Sequence, residues 1–257
     1  MIEEWDLASI NLDRIKKHTY EVAVLPTSAI EPHNFHLPYG QDFFQAYHIS
    51  RRCCKEAWQR SQKVVCLPGL PYGVDSNLFD FPLAMHVSQQ TLDTMITDIV
   101  ITLNNYDIKK VVILNAHGGN DFVPLIRELQ GTTDSHLFCV NFWQCAPDKY
   151  VEIFEEAEDH AGEMETSIAL HSWPELVEME KAGDGKARPF RFAALENGWA
   201  KTSRRFGRLN DQCATANPEK ATQEKGEKFL DLVCGRITDF LVELAETPID
   251  THFPHQP

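Results

Sequence analysis

The sequence contains no uninterrupted run of the roughly 18 to 20 apolar residues that a membrane-spanning helix needs. It also lacks an excess of positive charge, because 24 Lys and Arg face 38 Asp and Glu and the formal net charge is −14. Such a chain is repelled by phosphate backbones and anionic membrane surfaces, so we expect neither nucleic acid nor a membrane as a partner. The first residues have no basic start and no apolar signal core, which predicts a cytoplasmic protein.

Paired cysteines at metal-binding spacing are also missing. The seven cysteines are scattered, odd in number and without a CxxC pair. Adjacent Cys53 and Cys54 fall in a predicted helix. This pattern is typical of reduced, buried thiols in a cytosolic protein.

Short apolar segments alternate with amphipathic segments along the 257 residues. Strands are predicted near residues 22–26, 63–68, 110–114 and 136–143, and helices near 42–60, 88–103, 120–130, 164–171 and 218–244. We place Asp42 at or near a helix N-cap, Ser88 at the N-cap of the next helix, and Asn217 at the N-cap before Pro218. The alternation predicts an α/β fold, a layered α/β/α domain with a mostly parallel central sheet. We expect a single domain over residues 1–257, although the length alone also allows two small domains.

Four residues of the type that binds metals follow the first predicted strand within a dozen positions: Glu31, His33, His36 and Asp42. Ligands of open α/β sheets bind at the carboxyl ends of the strands. Carboxylate oxygen and imidazole nitrogen together suit zinc, manganese or iron(II). The alternative is an ordinary polar loop, which we would prefer for a lone histidine, but the cluster favours a metal site. Asp42, where the chain turns into a helix, could bridge two metals.

Two later segments add residues of the same chemistry. His117 follows the third predicted strand and precedes two glycines, although a lone histidine there is more commonly an ordinary polar strand terminus. His160 is followed by Glu163 and Glu165. On a helix beginning near Gly162 these carboxylates diverge by about 200°, so only one of them can easily face a site. The other would be a solvent-exposed, capping or supporting carboxylate.

Two further features each have two interpretations. The basic residues Arg204, Arg205 and Arg208 could bind an anionic substrate group, or could form a solvated or intersubunit loop. Trp143, at the end of the fourth predicted strand, could form a wall of the catalytic pocket, or could be a core aromatic.

Three segments, taken in order, resemble the creatininase (creatinine amidohydrolase) family: Glu31-Pro32-His33 with Asp42, Asn115 to Asn120, and His160 to Ser167. The resemblance covers about residues 20 to 240. It implies a layered α/β hydrolase that opens a non-peptide C–N amide bond of a small molecule, and a homo-oligomer, commonly a hexamer. It also implies two divalent metal ions, a zinc with a second zinc, manganese or iron.

The resemblance further implies a role for each matching residue. Glu31 would bind one metal, His33 and His117 the other, and Asp42 both. A water bridging the two cations, acidified to hydroxide, would attack the carbonyl carbon. His160 matches the family's proton-handling histidine, which would carry the proton to the leaving nitrogen.

The sequence departs from the creatinine-cleaving members at two places. Those members carry a metal-binding acid two residues after the motif histidine, whereas this chain has Gly119. We expect Glu165 to supply the missing carboxylate, with Glu163 as second choice. The loop at Phe81-Pro82 lacks the family's preceding histidine and following Gly-Thr. Creatinine itself is therefore not the expected substrate, and a cyclic amide or a formamide is.

Two alternatives to an enzyme follow from the same residues. One is a metal-binding but inactive family member that acts as a binding or regulatory subunit, which the retention of His160 disfavours. The other is a structural oligomer whose acidic loops hold one zinc. Full metal loading without turnover would favour the first, and a metal that affects only the melting temperature would favour the second.

Overall fold

A computed structural model of the chain describes residues 3–156 and 160–256. Its four strands form one sheet in the order β2-β1-β3-β4, and every neighbouring pair is parallel. The strands are β1 (Val22–Thr27), β2 (Val64–Cys66), β3 (Lys110–Asn115) and β4 (His136–Asn141). The predicted parallel sheet is confirmed, and the four strands lie where the apolar segments indicated.

Helices occupy the connections between strands and the C-terminal part of the chain. The α-helices are α1 (Leu12–Ile15), α2 (Gln41–Ser61), α3 (Gln89–Asn105), α4 (Val123–Leu129), α5 (Pro147–Ile153), α6 (Glu163–Ser172), α7 (Ala193–Glu196) and α8 (Gln223–Glu246). Short 3-10 turns include Ser76–Leu78, Phe142–Gln144 and Phe206–Arg208.

The two faces of the sheet carry separate cores, because successive side chains of a strand point to opposite faces. Val22 and Val24 of β1 belong to a core with residues of α2, α6 and α8, whereas Ala23 and Leu25 belong to one with residues of α3 and α4. All six residues of β1 are buried, as expected of a strand covered on both faces. The layered α/β/α architecture predicted from the sequence is confirmed.

Helices α6 and α8 pack closely because α8 carries a glycine at their contact. A Cβ atom at Gly226 would lie 2.0 Å from the backbone oxygen of Ser167. Any side chain there would push α8 away from the helix that carries Glu165. The close contact therefore fixes α6 against the long C-terminal helix.

Of the predicted helix starts, Asp42 lies near that of α2, as expected, whereas the predicted start of the last helix is wrong. The N-cap of α2 is Gly40, so Asp42 is the second helical residue and leaves its carboxylate free to point elsewhere. The last helix begins at Gln223 after Thr222, whose side chain accepts a hydrogen bond from the Lys225 amide, and not at Pro218. Ser88 caps α3 as predicted, accepting from the Thr91 amide.

Within the described residues, no helix is both long enough and apolar enough to cross a membrane. The first two of the N-terminal residues behind the localisation prediction lie outside that part of the chain. All seven cysteines are free thiols, as predicted, and five of them are buried.

Candidate metal centre

The carboxyl ends of β1 and β3 bring two of the three predicted segments together. Thr27 and Asn115, the last residues of these strands, are paired in register, and the Thr27 hydroxyl donates to Asn115 Oδ1 at 3.2 Å. The chain after β1 carries the first segment and the chain after β3 carries His117. The third segment arrives at the same edge on α6. Six of the predicted site residues meet there, each less than one tenth exposed: Glu31, His33, Asp42, His117, His160 and Glu165.

The first group of ligand atoms surrounds Nδ1 of His117. This nitrogen lies 3.1 Å from Glu31 Oε1 and 3.0 Å from Asp42 Oδ2. Glu31, Asp42 and His117 each offer one ligand atom within 4.8 Å of the others. Two carboxylates and one imidazole at this spacing fit a divalent ion such as zinc or manganese.

The second group surrounds Nε2 of His33. This nitrogen lies 3.1 Å from Asp42 Oδ1 and 3.7 Å from Glu165 Oε1. Asp42 therefore presents one oxygen to each group, as a bridging carboxylate must. The structure divides the imidazoles differently from the sequence expectation, since His33 and His117 stand in different groups and Glu31 stands with His117.

His160 lies between the two groups without joining either of them. Its ring centroid is 4.2 Å from that of His33, and its Nδ1 is 3.7 Å from Glu31 Oε1. With Glu31 and His33 it forms a third set of possible ligand atoms. The ring of Phe206 covers it edge-on at 5.3 Å. Phe206 had no spacing signal in the sequence, and only the structure brings it to the site.

Each of the three histidines has one ring nitrogen against a backbone carbonyl. His33 Nδ1 lies 3.1 Å from the Glu31 oxygen, His117 Nε2 3.2 Å from the Val74 oxygen, and His160 Nε2 3.0 Å from the Pro32 oxygen. A carbonyl oxygen can only accept, so these nitrogens donate. The other nitrogen of each ring faces the carboxylates, where its lone pair can bind an ion once the proton is lost.

The pKa values of two carboxyl groups, those of Glu31 and Glu165, are lowered despite their burial. Burial alone would raise the pKa of Glu31, but the imidazoles of His117 and His160 hold it well below its usual range. Burial would also raise the pKa of Glu165, but His33, His160 and the Ala161 amide, 2.7 Å from Glu165 Oε2, lower it. Two ionised carboxylates in one buried pocket favour the binding of cations there.

An orphaned nitrogen provides a separate test of whether metal ions fit here. Nε2 of His33 is fully buried and has no hydrogen-bond partner among the described residues, although it faces Asp42 and Glu165. A divalent ion would satisfy this lone pair and both carboxylates at once. The donor set therefore suits the two divalent ions that the sequence implied.

Glu163 faces away from this centre. Its Oε2 accepts hydrogen bonds from the amides of Glu155 and Glu156 at 2.8 and 3.0 Å, and its Oε1 pairs with Lys225. The expectation that only one of Glu163 and Glu165 faces the site agrees with the geometry. His36, also fully buried, contacts the Thr166 hydroxyl at 2.8 Å rather than the ligand atoms.

The structure also gives contacts for the other two sequence features. Trp143 is half-buried against the core, with its ring 5.6 Å from that of Phe142, so the structure gives it a packing contact and its catalytic role stays a prediction. In the basic segment, Arg205 pairs with Asp80 and Arg204 lies over the Phe206 ring at 5.3 Å. These contacts attach the segment to the site's covering loops.

One acidic residue at the centre was missed by the sequence analysis. Asp75 is fully buried, and its Oδ1 lies 3.0 Å from Nε2 of His117. Burial raises the pKa of Asp75 to about 6, with His117 acting in the opposite direction. Asp75 lies in a loop rich in Gly, Pro, Asn and Asp, where an aspartate signals only a turn.

Comparison with known proteins gives one family. The family model described as creatinine amidohydrolase, creatininase, matches residues 8–241. The creatinine amidohydrolase of Pseudomonas putida is 26% identical over 243 residues, which cover 86% of this chain and 89% of the relative. The mycofactocin precursor peptide peptidase of Mycolicibacterium smegmatis is 24% identical over 223 residues, 83% of this chain and 82% of the relative.

Solved structures agree with that result. A Bacteroides fragilis protein provisionally assigned as a creatinine amidohydrolase is 33% identical with a TM-score of 0.90, and the match covers 97% of this chain and 100% of that chain. A creatininase variant in a zinc–zinc form and a manganese creatininase share the fold at 20% identity, with TM-scores of 0.76 and 0.75. Each of these two matches covers 95% of this chain and 100% of the other.

Proposed function

Because the chain belongs to the creatininase family, we propose that it hydrolyses a small cyclic amide or a formamide at a centre holding two divalent metal ions. It is an amidohydrolase, acting on C–N bonds other than peptide bonds. We propose further that the catalytic unit is a single domain and that it assembles as a homo-oligomer, with a hexamer as the expected size.

The observation that carries the proposal is the shared position of Asp42. One of its oxygens stands with Glu31 and His117, and the other with His33 and Glu165. These five residues would hold the two ions, with zinc and manganese as the first candidates because related structures contain them. Bound there, the ions supply an acidified water as nucleophile and polarise the substrate carbonyl.

His160 is the residue we assign to proton transfer. Its Nε2 donates to the Pro32 oxygen, so Nδ1 is the basic nitrogen and faces Glu31 Oε1 at 3.7 Å. A proton taken up at Nδ1 can be passed to a leaving nitrogen bound on the same side. The ring packs between His33 and Phe206, which holds this nitrogen in place and excludes water from one face.

The departures from creatinine-cleaving members lie where the substrate would be covered. The loop containing Phe81-Pro82 is fixed by the Tyr39 hydroxyl, which donates to the Pro82 oxygen at 2.7 Å, and by the pair Asp80–Arg205. Its chemistry differs from that of the family's creatinine-binding loop, and Gly119 removes a carboxylate. We therefore propose another cyclic amide, or a formamide, in place of creatinine.

The test combines metal analysis with a substrate panel. Purified protein should contain about two divalent ions per chain by elemental analysis, and should turn over at least one member of a panel of lactams, cyclic ureides and formamides. Creatinine and a short peptide serve as comparison substrates, the peptide because one relative is a peptidase. Two metals without turnover of any panel member would favour the inactive binding subunit. A protein that binds no metal under conditions that do not strip it would overturn the proposal.

A further inference from the structure

Asp75 contacts the ring nitrogen of His117 that Glu31 and Asp42 do not contact. His117 Nδ1 points to those two carboxylates, whereas Nε2 lies 3.0 Å from Asp75 Oδ1. The Asp75 side chain is completely buried, and neither of its oxygens has a well-aligned hydrogen-bond donor among the described residues. A buried charge without partners is costly, so its presence requires an explanation.

Helix capping does not explain it. Asp75 occupies the N-cap position of the 3-10 turn Ser76–Leu78, where an aspartate commonly accepts a hydrogen bond from the backbone. Its side chain makes no such bond. The carboxylate is instead directed at the imidazole of His117.

The place beside His117 is available to this loop because position 119 is glycine. A Cβ atom at Gly119 would lie 2.3 Å from His117 Nε2 and 2.4 Å from the Val74 oxygen. Any side chain at 119 would therefore occupy the space that the Val74-Asp75 segment now fills. The chain lacks an acid at 119 and has one, Asp75, beside the same imidazole.

The loop that presents Asp75 is firmly attached. The Val74 amide donates to Asn120 Oδ1 at 3.1 Å, and the Asp75 amide donates to His86 Nδ1 at 3.0 Å. Gly73 allows a similarly close approach, since a Cβ atom there would lie 2.5 Å from the Ser28 oxygen. Asp75 is thus held at a fixed distance from His117.

We propose that Asp75 is a positioning residue of the metal centre, one that keeps the proton of His117 on Nε2 and so presents the Nδ1 lone pair to an ion between Glu31 and Asp42. Val74 and Asp75 both place oxygen atoms at Nε2, and Asp75 adds the negative charge. A carboxylate behind a metal-binding imidazole fixes its tautomer and raises its basicity. A bound ion in turn makes the imidazole a stronger donor, which compensates the buried charge of Asp75. This inference rests on the proposed metal centre.

The substitution Asp75→Asn tests the role of the negative charge of Asp75, because it removes the charge with almost no change in the shape of the side chain. Asp98→Asn, on the exposed face of α3, is the matched control because it removes the same charge far from the centre. Metal content by elemental analysis and affinity by competition with a chelator are the measurements. We expect Asp75→Asn to weaken the binding of one of the two ions by about 10- to 100-fold and to leave the affinity for the other ion unchanged. Asp98→Asn should retain both affinities.

A second measurement reads the tautomer of His117 directly in the wild-type protein and does not depend on the Asp75→Asn variant folding well. Nitrogen-15 NMR of the zinc-loaded, histidine-labelled protein, with His117→Gln to assign the signal, should show Nε2 of His117 protonated and Nδ1 metal-bound. Metal bound through Nε2, or equal affinities in Asp75→Asn and the wild type, would overturn the inference. A wild type without metal would instead overturn the proposed function, so the two failures are distinguishable.

Discussion

The two halves of the metal centre share Asp42 but are supported in different ways. In the half formed by Glu31, Asp42 and His117, the far side of the imidazole meets a peptide oxygen and the Asp75 carboxylate. In the half formed by His33, Asp42 and Glu165, the far side of the imidazole lies against the peptide oxygen of Glu31, and no carboxylate contacts it among residues 3–156 and 160–256. The first half therefore concentrates more negative charge around its ion and should hold it more tightly.

The second half relies instead on a rigid helix. Glu165 lies in the first turn of α6, and its second oxygen accepts the Ala161 amide at 2.7 Å. Gly226 lets α8 press against this helix. In the proposed two-ion centre, one ion would thus depend on charge supplied by a loop, and the other on packing. Changes to single residues should separate the two.

Asp42→Ala should have the largest effect because it breaks both halves. It removes the carboxylate that presents one oxygen to His33 and the other to His117, so metal content should fall from about two per chain to near zero and hydrolysis should cease. Elemental analysis measures the loss, and circular dichroism checks that the fold remains. A variant that still holds both ions would show that Asp42 does not bridge.

Glu165→Gln should break only the second half, and Glu163→Gln neither. Glu165→Gln should retain the ion at Glu31, Asp42 and His117 and lose the other. Glu163→Gln should keep both ions and lower the free energy of unfolding by about 1.5 to 3 kcal/mol, because Glu163 holds two amides and Lys225. Both variants should be measured for metal content by elemental analysis and for stability by chemical denaturation, so that each serves as the control for the other. Full metal content in Glu165→Gln would assign that ion to other residues.

His160→Ala should leave both halves intact and remove only the proton transfer. Its basic nitrogen is 3.7 Å from Glu31 Oε1, and the two ligand groups are complete without it. Turnover should fall by about 10²- to 10⁴-fold with two ions retained. Steady-state kinetics and metal analysis on the same sample check this. Loss of an ion would make His160 a ligand.

The smallest expected effect is a pH dependence that distinguishes the metal-free from the loaded centre. Burial would lower the pKa of His33, but the carboxylates of Asp42 and Glu165 raise it well above its ordinary value. Burial would also lower the pKa of His117, but Glu31 and Asp42 raise it well above its ordinary value. This stabilisation is complete below the unfolded pKa of about 6.5 and is lost as pH rises through the higher folded pKa.

Metal-free protein should therefore become less stable as pH rises above about 6.5, whereas metal ions, which compete with protons for the same nitrogens, should bind better. Thermal melts of chelator-treated and metal-loaded samples across this range would show opposite trends. Parallel trends would show that these imidazoles do not carry the protons in the metal-free protein.

The parts of the site that the sequence predicts are those at strand ends. Glu31, His33 and His117 follow apolar segments whose parallel pairing brings their ends to one edge, so their convergence follows from local patterns. The choice of Glu165 over Glu163 agrees with the structure for a similar reason, because helical rotation alone separates the two side chains. Periodicity and motif order were sufficient for this much.

The contacts that the sequence does not predict are those between segments without periodicity. Asp75 lies in an irregular loop and Phe206 in a short 3-10 turn, and their partners His117 and His160 are remote in sequence. The division of imidazoles between the two groups depends on ring orientation, which peptide oxygens of other segments determine. The predicted start of α8 was wrong because the Asn217 side chain accepts a hydrogen bond from the Glu219 amide at 3.0 Å in a separate turn. Thr222 caps the helix instead.

The all-parallel sheet also has a consequence for how the chain acquires its metal. Val22 pairs with both Val64 and Lys110, so β1 must wait for distant parts of the chain before its neighbours form. Such non-local closure places the protein among slowly folding topologies, on the scale of about milliseconds to seconds. Glu31, His117 and Glu165 become neighbours only after that closure. In the proposed metal centre, metal binding should therefore follow folding. When divalent ions are scarce, newly made chains should accumulate as a folded, metal-free protein.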